Sequence, residues 1–303
     1  MSSSATALKP VPASLHAAMG LMTVLWSMNY YAAKVVTAQL QPFTAAGLRS
    51  LLGAMALSLY FFTLYRGNRG TGSLRQTLKF MGLGTIGVAL NQYFFVAGMS
   101  RTSVSHGALI IALTPALVLL LAACIGQERI TWLKAGGLIL AMAGIAALQA
   151  GTDKAKGATW LGDLLVLGAS SSFATYTVLS KRVSATDGAG LSGLTVVAYG
   201  FIGSALAFVP GLAWTLPHVP YAAIDAKTWL ALLYMSLATS AICYVIYYRA
   251  LESLPASRVS ALSYLQPLLA IATAIPLLGE PITKSLLAGG ALILAGVVLA
   301  ERG

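Results

Sequence analysis

Arg49 is a fixed charge about seven residues into an otherwise uncharged apolar stretch, 43–65. A guanidinium in hydrocarbon is costly, so it marks a solute path or braces neighbouring helices. On a solute path it would attract a carboxylate. Other polar groups inside apolar stretches extend the set. Asn91 and Gln92 follow Gly84 and Gly87 and precede Phe95. Ser236, Ser240, Cys243 and Tyr247 fall on one helical stripe, with Tyr244 beside it. Ser260, Ser263, Tyr264 and Gln266 lie in a further stretch, Ser172 and Tyr176 in another, and Trp26, Asn29 and Tyr30 in the first. Aromatic rings, hydroxyls and amides with little fixed charge suit an amphipathic, neutral or zwitterionic solute with an apolar side chain. The competing reading of the same groups is hydrogen bonding between helices. His106 could meet substrate or act as a proton switch, or simply bond backbone near an interface. Pro115 and Pro267 fall within helical stretches, where the missing N–H makes either a gating kink or a static bend. Glu128 and Glu280 fall at stretch ends, as anchors of loops and helix termini.

Other chemistries find no residues to carry them. The sequence holds no Walker A motif, no metal-ligand spacing and no Ser/His/Asp arrangement, so neither an enzyme nor a cofactor is expected. Cys124 and Cys243 sit inside apolar stretches and frame no disulfide. No Asp or Glu lies deep in a stretch, Asp163 being near an edge, which predicts movement down a solute gradient without an imposed proton gradient.

These residues are positioned by a membrane-embedded frame. Apolar residues make up 58% of the 303 and charged residues 9%. The runs 80–100, 102–127, 228–248 and 259–279 contain no Lys, Arg, Asp or Glu, and each is long enough to cross a hydrocarbon core of roughly 30 Å. Breakers and charges divide the chain into ten spans, 15–34, 43–65, 79–99, 103–125, 132–150, 160–181, 190–212, 227–250, 256–278 and 285–301. The fold class is therefore an all-α integral membrane protein. Residues 1–14 read as a mobile cytoplasmic arm, and Trp26, Asn29, Tyr30 and Tyr31 argue against a cleaved signal in the first span.

The net charge of +11 reads as topology, not as nucleic-acid binding. With both termini on one side, that side holds twelve Lys and Arg and the other six. The basic loop 66–79 is the strongest single anchor, and lipid headgroups are a further partner it could contact. This asymmetry predicts cytoplasmic termini.

Two stretches of the chain repeat. Asn91–Ser100, Pro115 and Glu128 correspond to Cys243–Glu252, Pro267 and Glu280, 152 residues on. Ala135-Gly136-Gly137 matches Ala288-Gly289-Gly290 one residue out of step. Weaker parallels join Trp26…Lys34 to Phe173…Lys181, and Leu48-Arg49-Ser50…Gly53 to Ala198-Tyr199-Gly200…Gly203. The chain thus divides into a first repeat, 15–150, and a second, 151–303. Five spans per repeat is odd, so the second enters the membrane inverted. Ten transmembrane helices as two inverted five-helix repeats are a mark of secondary transporters with alternating access and a site between the halves.

The residues also resemble a known family. Trp26-Ser27-Met28-Asn29-Tyr30…Lys34, Leu48-Arg49, Ala89-Leu90-Asn91-Gln92-Tyr93…Thr114-Pro115…Gly126-Gln127-Glu128-Arg129 and Tyr264-Leu265-Gln266-Pro267…Gly279-Glu280-Pro281 are similar to the EamA branch of the drug/metabolite transporter superfamily. That resemblance implies a multi-pass protein of the bacterial inner membrane that exports small metabolites. Amino acids, aromatic or otherwise apolar, come first, and a multidrug exporter of the same fold is the alternative. It implies no cofactor and no nucleic-acid partner. The substrate-binding candidates are Asn29, Tyr30, Arg49, Asn91, Gln92, Tyr176, Tyr244, Tyr247, Tyr264 and Gln266. Pro115 and Pro267 are the gating candidates, and His106 the candidate proton switch.

Overall fold

Ten long helical segments follow one another among the described residues. The computed structural model describes residues 13–65, 73–126, 130–150, 158–187, 192–253 and 265–302. Tyr264, Ser260, Ser263 and Glu128 lie outside them, as do residues 1–12 and 66–72. The helices are α1 (Ala13–Thr37), α2 (Pro42–Leu64), α3 (Leu74–Met99), α4 (Val104–Cys124), α5 (Trp132–Ala150), α6 (Trp160–Asp187), α7 (Gly193–Thr215), α8 (226–253), α9 (Leu265–Leu278) and α10 (Lys284–Arg302). Five of them, α2, α3, α4, α7 and α8, are long and apolar enough to cross a membrane by length and composition alone.

Two boundaries differ from expectation because charge was read as loop. α3 starts at Leu74, ahead of the expected 79, since the Ser73 hydroxyl accepts the Gln76 N–H at 3.3 Å and caps a first turn carrying Arg75, with Lys79 on the next. α6 likewise runs past Lys181 to Asp187. α4 breaks at Ala112–Leu113, just ahead of Pro115, which has no N–H to continue the ladder.

The packing follows a two-fold exchange of the halves. α1 packs on α8 and α9, and its counterpart α6 packs on α3 and α4. α2 packs on α8 as α7 packs on α3. The pairs α2–α7, α4–α9 and α5–α10 each join a helix to its own counterpart. Of these, α5–α10 shows how close the backbones come. A Cβ on Gly137 would stand 2.4 Å from Ala300 N and 2.6 Å from Gly296 O, and one on Gly144 would stand 2.8 Å from Gly289 O. Gly137 and Gly144 correspond to Gly289 and Gly296 at the same 152-residue offset as the rest of the repeat. The out-of-step match of Gly137 with Gly290 is thereby corrected. Gly136 faces open space and Gly290 packs on Leu109.

Both central helices are widened at the same place. α3 carries a π segment at Thr85–Ala89 and α8 one at Tyr234–Ile242. Such segments change which side chains share a face, and they occur often at functional sites.

Candidate functional site

Arg49 is buried at 7% exposure where α1, α2, α3 and α8 meet. Its Nε donates to Ser240 Oγ at 3.0 Å and its Nη2 to Thr239 Oγ1 at 3.1 Å. Its Cζ lies 5.8 Å from the centre of the Phe95 ring on α3. Among the described residues no carboxylate is in ion-pair range of it. A buried guanidinium satisfied by hydroxyls and an aromatic face keeps its charge available for an anion.

The π segment of α8 makes this arrangement. Thr239 Oγ1 and Ser240 Oγ both donate to the Met235 carbonyl, at 2.7 and 3.0 Å, from four and five residues on. Neighbouring hydroxyls thus turn to one side and present their lone pairs to Arg49. Thr239 Oγ1 also lies 3.2 Å from Asn29 Oδ1, while the Trp26 indole N–H donates to the Thr239 carbonyl at 3.1 Å.

Aromatic rings surround this polar centre. Tyr30 meets Phe95 edge-on, centroids 5.5 Å apart. Tyr244 stands between Trp26 and Phe201, at 6.1 and 5.1 Å. Tyr247 lies 5.8 Å from Trp26. Gln92 is buried at 3% exposure, one helical turn before Phe95, and its Oε1 has no hydrogen-bond partner among the described residues.

The structure therefore brings Asn29, Tyr30, Arg49, Tyr244 and Tyr247 around one centre. Asn91 turns elsewhere: its amide donates to the Ala169 carbonyl on α6 at 2.8 Å. Tyr176 is buried against Phe80 and Val196, with Gly87 under its Cβ. Gln266 is half-buried in the first described turn of α9, and Pro267 beside it is buried. The expected meeting of Asn91 with Tyr244 is not seen, because Asn91 faces α6 and Tyr244 faces α1 and α7. Thr239 was not legible as a site residue. A regular 3.6-residue period leaves it off the 236/240/243/247 stripe, and only the π segment turns it toward Arg49.

A second polar cluster lies at the end of the bundle away from the termini, called distal below. His106 Nδ1 is 2.9 Å from Asp163 Oδ2, and Thr102 donates to Asp163 Oδ1. Glu280 accepts from Val104 N at 2.6 Å, Ser105 N at 3.0 Å and Ser105 Oγ at 2.6 Å. Glu280 is thus the helix-terminal anchor expected of it, supplied to α4 by the other half. Asp163 is only 4% exposed. Asp163 does stand at a span edge, but α4 covers it. Nearby, Gln39 receives Asp225 N at 3.0 Å and Thr228 Oγ1 at 2.9 Å, tying the α1–α2 turn to the start of α8.

Comparison with known proteins agrees with this architecture. The EamA-like transporter family model matches twice, at residues 15–149 and 160–301, once per half. The chain belongs to this family: it is a multi-pass membrane transporter and not an enzyme. A probable amino-acid metabolite efflux pump of Salmonella typhimurium is 26% identical, over 92% of this chain and 92% of its own length. A probable terminal-alkyne amino-acid exporter of Streptantibioticus cattleyicolor is 28% identical, over 94% and 92%. An uncharacterized transporter of Bacillus subtilis, YyaM, is 26% identical over 92% and 90%. A crystal structure at 19% identity superposes with a TM-score of 0.64, covering 96% of this chain and 98% of the other, and shares the fold.

Proposed function

We propose that this protein exports amino acids with apolar side chains across the bacterial inner membrane by alternating access. The carrying observation is the buried Arg49, held by Thr239 and Ser240 with no carboxylate beside it among the described residues. A solute carboxylate is the charge it lacks. Asn29 and Gln92 supply amide oxygens for an ammonium group. Tyr30, Trp26, Tyr244 and Tyr247 supply ring faces for the side chain. The names of the Salmonella and Streptantibioticus relatives point the same way. Asn91 serves as a brace between α3 and α6, and the break ahead of Pro115 and the repeat-equivalent Pro267 serve as hinges of the two halves. The excess of Lys and Arg on the terminal side supports cytoplasmic termini and an outward-facing distal end.

Counterflow in proteoliposomes tests this reading across a panel of L-amino acids and lipophilic cations. Exchange of labelled phenylalanine or leucine, saturable and lost in Arg49→Met, is expected. Exchange of the cations alone would make the aromatic ring set a multidrug site. Reporter fusions at Gly70 and at the C-terminus should both read cytoplasmic, and a periplasmic signal from either overturns the orientation.

A further inference from the structure

His106 and Asp163 belong to different halves of the molecule. α4 carries the imidazole and the first turn of α6 the carboxylate, with both side chains buried and their nearest atoms 2.9 Å apart. Thr102, just before α4, donates to the second carboxylate oxygen. Arg101 and Thr159, flanking the pair, join the same two segments: Thr159 N and Oγ1 donate to the Arg101 carbonyl at 2.9 and 2.7 Å. Glu280 grips the start of α4 from the α9–α10 turn. The distal ends of the two halves can therefore separate only if these contacts break. One of the contacts is titratable by protons in the ordinary range of pH, because histidine changes charge between about pH 5 and 8.

We propose that His106 and Asp163 form a proton-binding site at the distal closure. A proton arriving there converts a hydrogen bond between a neutral imidazole and a carboxylate into an imidazolium–carboxylate pair, and the added attraction between opposite charges holds the bundle shut. Among the described residues, other charged groups lie at this end of the bundle. Glu280 comes from the α9–α10 turn and is engaged with Val104 and Ser105. Lys34 on α1 is within electrostatic reach of Glu280. Arg101 folds its guanidinium onto the Ala97 carbonyl and Ser100 Oγ, both at 2.9 Å. Lys284 opens α10. The pH response is assigned to the His106–Asp163 contact because it is the one contact of this closure, among the described residues, that contains an imidazole. On the orientation proposed above, the protons are those outside the cell, and acid outside slows release.

The test reads the closure without needing a substrate or an orientation. Spin labels are placed on Ala38→Cys and Ile282→Cys, exposed positions at the distal end of opposite halves, in a Cys124→Ser background. Distance distributions are recorded in lipid nanodiscs at about pH 8 and about pH 5.5. Acidification should raise the ratio of the short to the long distance by about five-fold, which corresponds to about 1 kcal/mol of added ion-pair attraction. His106→Gln keeps a donor for Asp163 but does not titrate, and its ratio should not move with pH. Asp163→Asn should abolish the response as well. An unchanged distribution in the otherwise native protein, or the same response in His106→Gln or Asp163→Asn, overturns the proposal. Since no solute is present, failure here leaves the amino-acid reading standing, and failure of counterflow leaves this one standing.

Discussion

Replacing Arg49 by Met separates a binding role from a bracing one. Met retains the length of the arginine stem as far as Nε, and the change removes the charge with both of its hydrogen bonds. The two hydroxyls are not orphaned, because Thr239 and Ser240 each still donate to the Met235 carbonyl. The lost bonds are set against relief of a buried charge that has no carboxylate partner among the described residues. Removing such a charge is often neutral, so folding stability should change by no more than about 1 kcal/mol. Binding is affected differently. A hydrogen bond to a charged group contributes about 1.5–3 kcal/mol, which corresponds to roughly ten- to 150-fold in affinity. The assay pairs melting temperature, with and without L-phenylalanine, with counterflow at equal amounts of folded protein. Arg49→Met should melt near the parent temperature, lose the ligand-induced rise and exchange at least about ten-fold more slowly at low substrate. Arg49→Lys keeps the charge without the planar fork and should fall between the two. If Arg49→Met folds and exchanges normally, the carboxylate is held elsewhere. If it loses folded protein while the surviving fraction exchanges normally, Arg49 is a brace.

The α5–α10 crossing gives a contrast between neighbouring glycines. Gly137→Val would drive a side chain into Ala300 N and Gly296 O, backbone atoms that cannot move aside, and should sharply reduce folded protein on size-exclusion chromatography, whereas Gly136→Ala enters open space and should not. Asp225 caps α8 by accepting Thr228 N at 2.7 Å, and that bond holds its carboxyl below the ordinary 3.8. A lowered pKa contributes stability above the unfolded value that is lost as pH falls through the folded one, so Asp225→Ala should melt lower at neutral pH and the gap should close below about pH 4. Glu280→Gln weakens the grip on Val104 and Ser105 and should populate the distally open state in the spin-label measurement. Glu128→Gln, at the repeat-equivalent position outside the described residues, should shift that population the opposite way, and equal shifts of one sign would deny the two residues equivalent roles.

The ten spans were legible because a residue's charge is visible without its neighbours. Uncharged runs longer than a bilayer is thick leave few alternatives, and the 152-residue recurrence of Pro and Glu shows that the halves are copies. The errors arose where a local rule met a non-local cause. Arg75, Lys79 and Lys181 were read as ends of helices, yet they ride on helical turns extending beyond the span. Thr239 was hidden because periodicity assumes an unbroken α-helix, and Tyr234–Ile242 is wider than one. Burial of Asp163 is decided by α4, which follows an unrelated course in the sequence. Asn91 was visible as a costly polar residue, but its choice of Ala169 on α6 depends on packing that no spacing encodes.

What the halves share and what they do not divides along functional lines. The shared features are backbone ones: π segments in α3 and α8, glycine crossings in α5 and α10, and close approaches at Gly53 and Gly203. Exchange of two conformations by an inverted pair needs these to match, because each half must be able to adopt the other's shape. The side chains at the centre do not match. The counterpart of Arg49 is Tyr199, which packs on Phe61 and Phe62 at 6.2 and 6.4 Å and carries no charge. A carboxylate bound to Arg49 would therefore sit off the pseudo-two-fold axis, about 10 Å from the distal start of α2 at 1.5 Å per residue. Among the described residues, the proposed proton site of His106 and Asp163 is likewise found at the distal end alone. A symmetric frame lets either end open, while an off-axis charge and a one-sided closure make the two openings unequal. That inequality gives the two faces of the carrier different affinities and opening rates, while the solute gradient sets the direction of net movement.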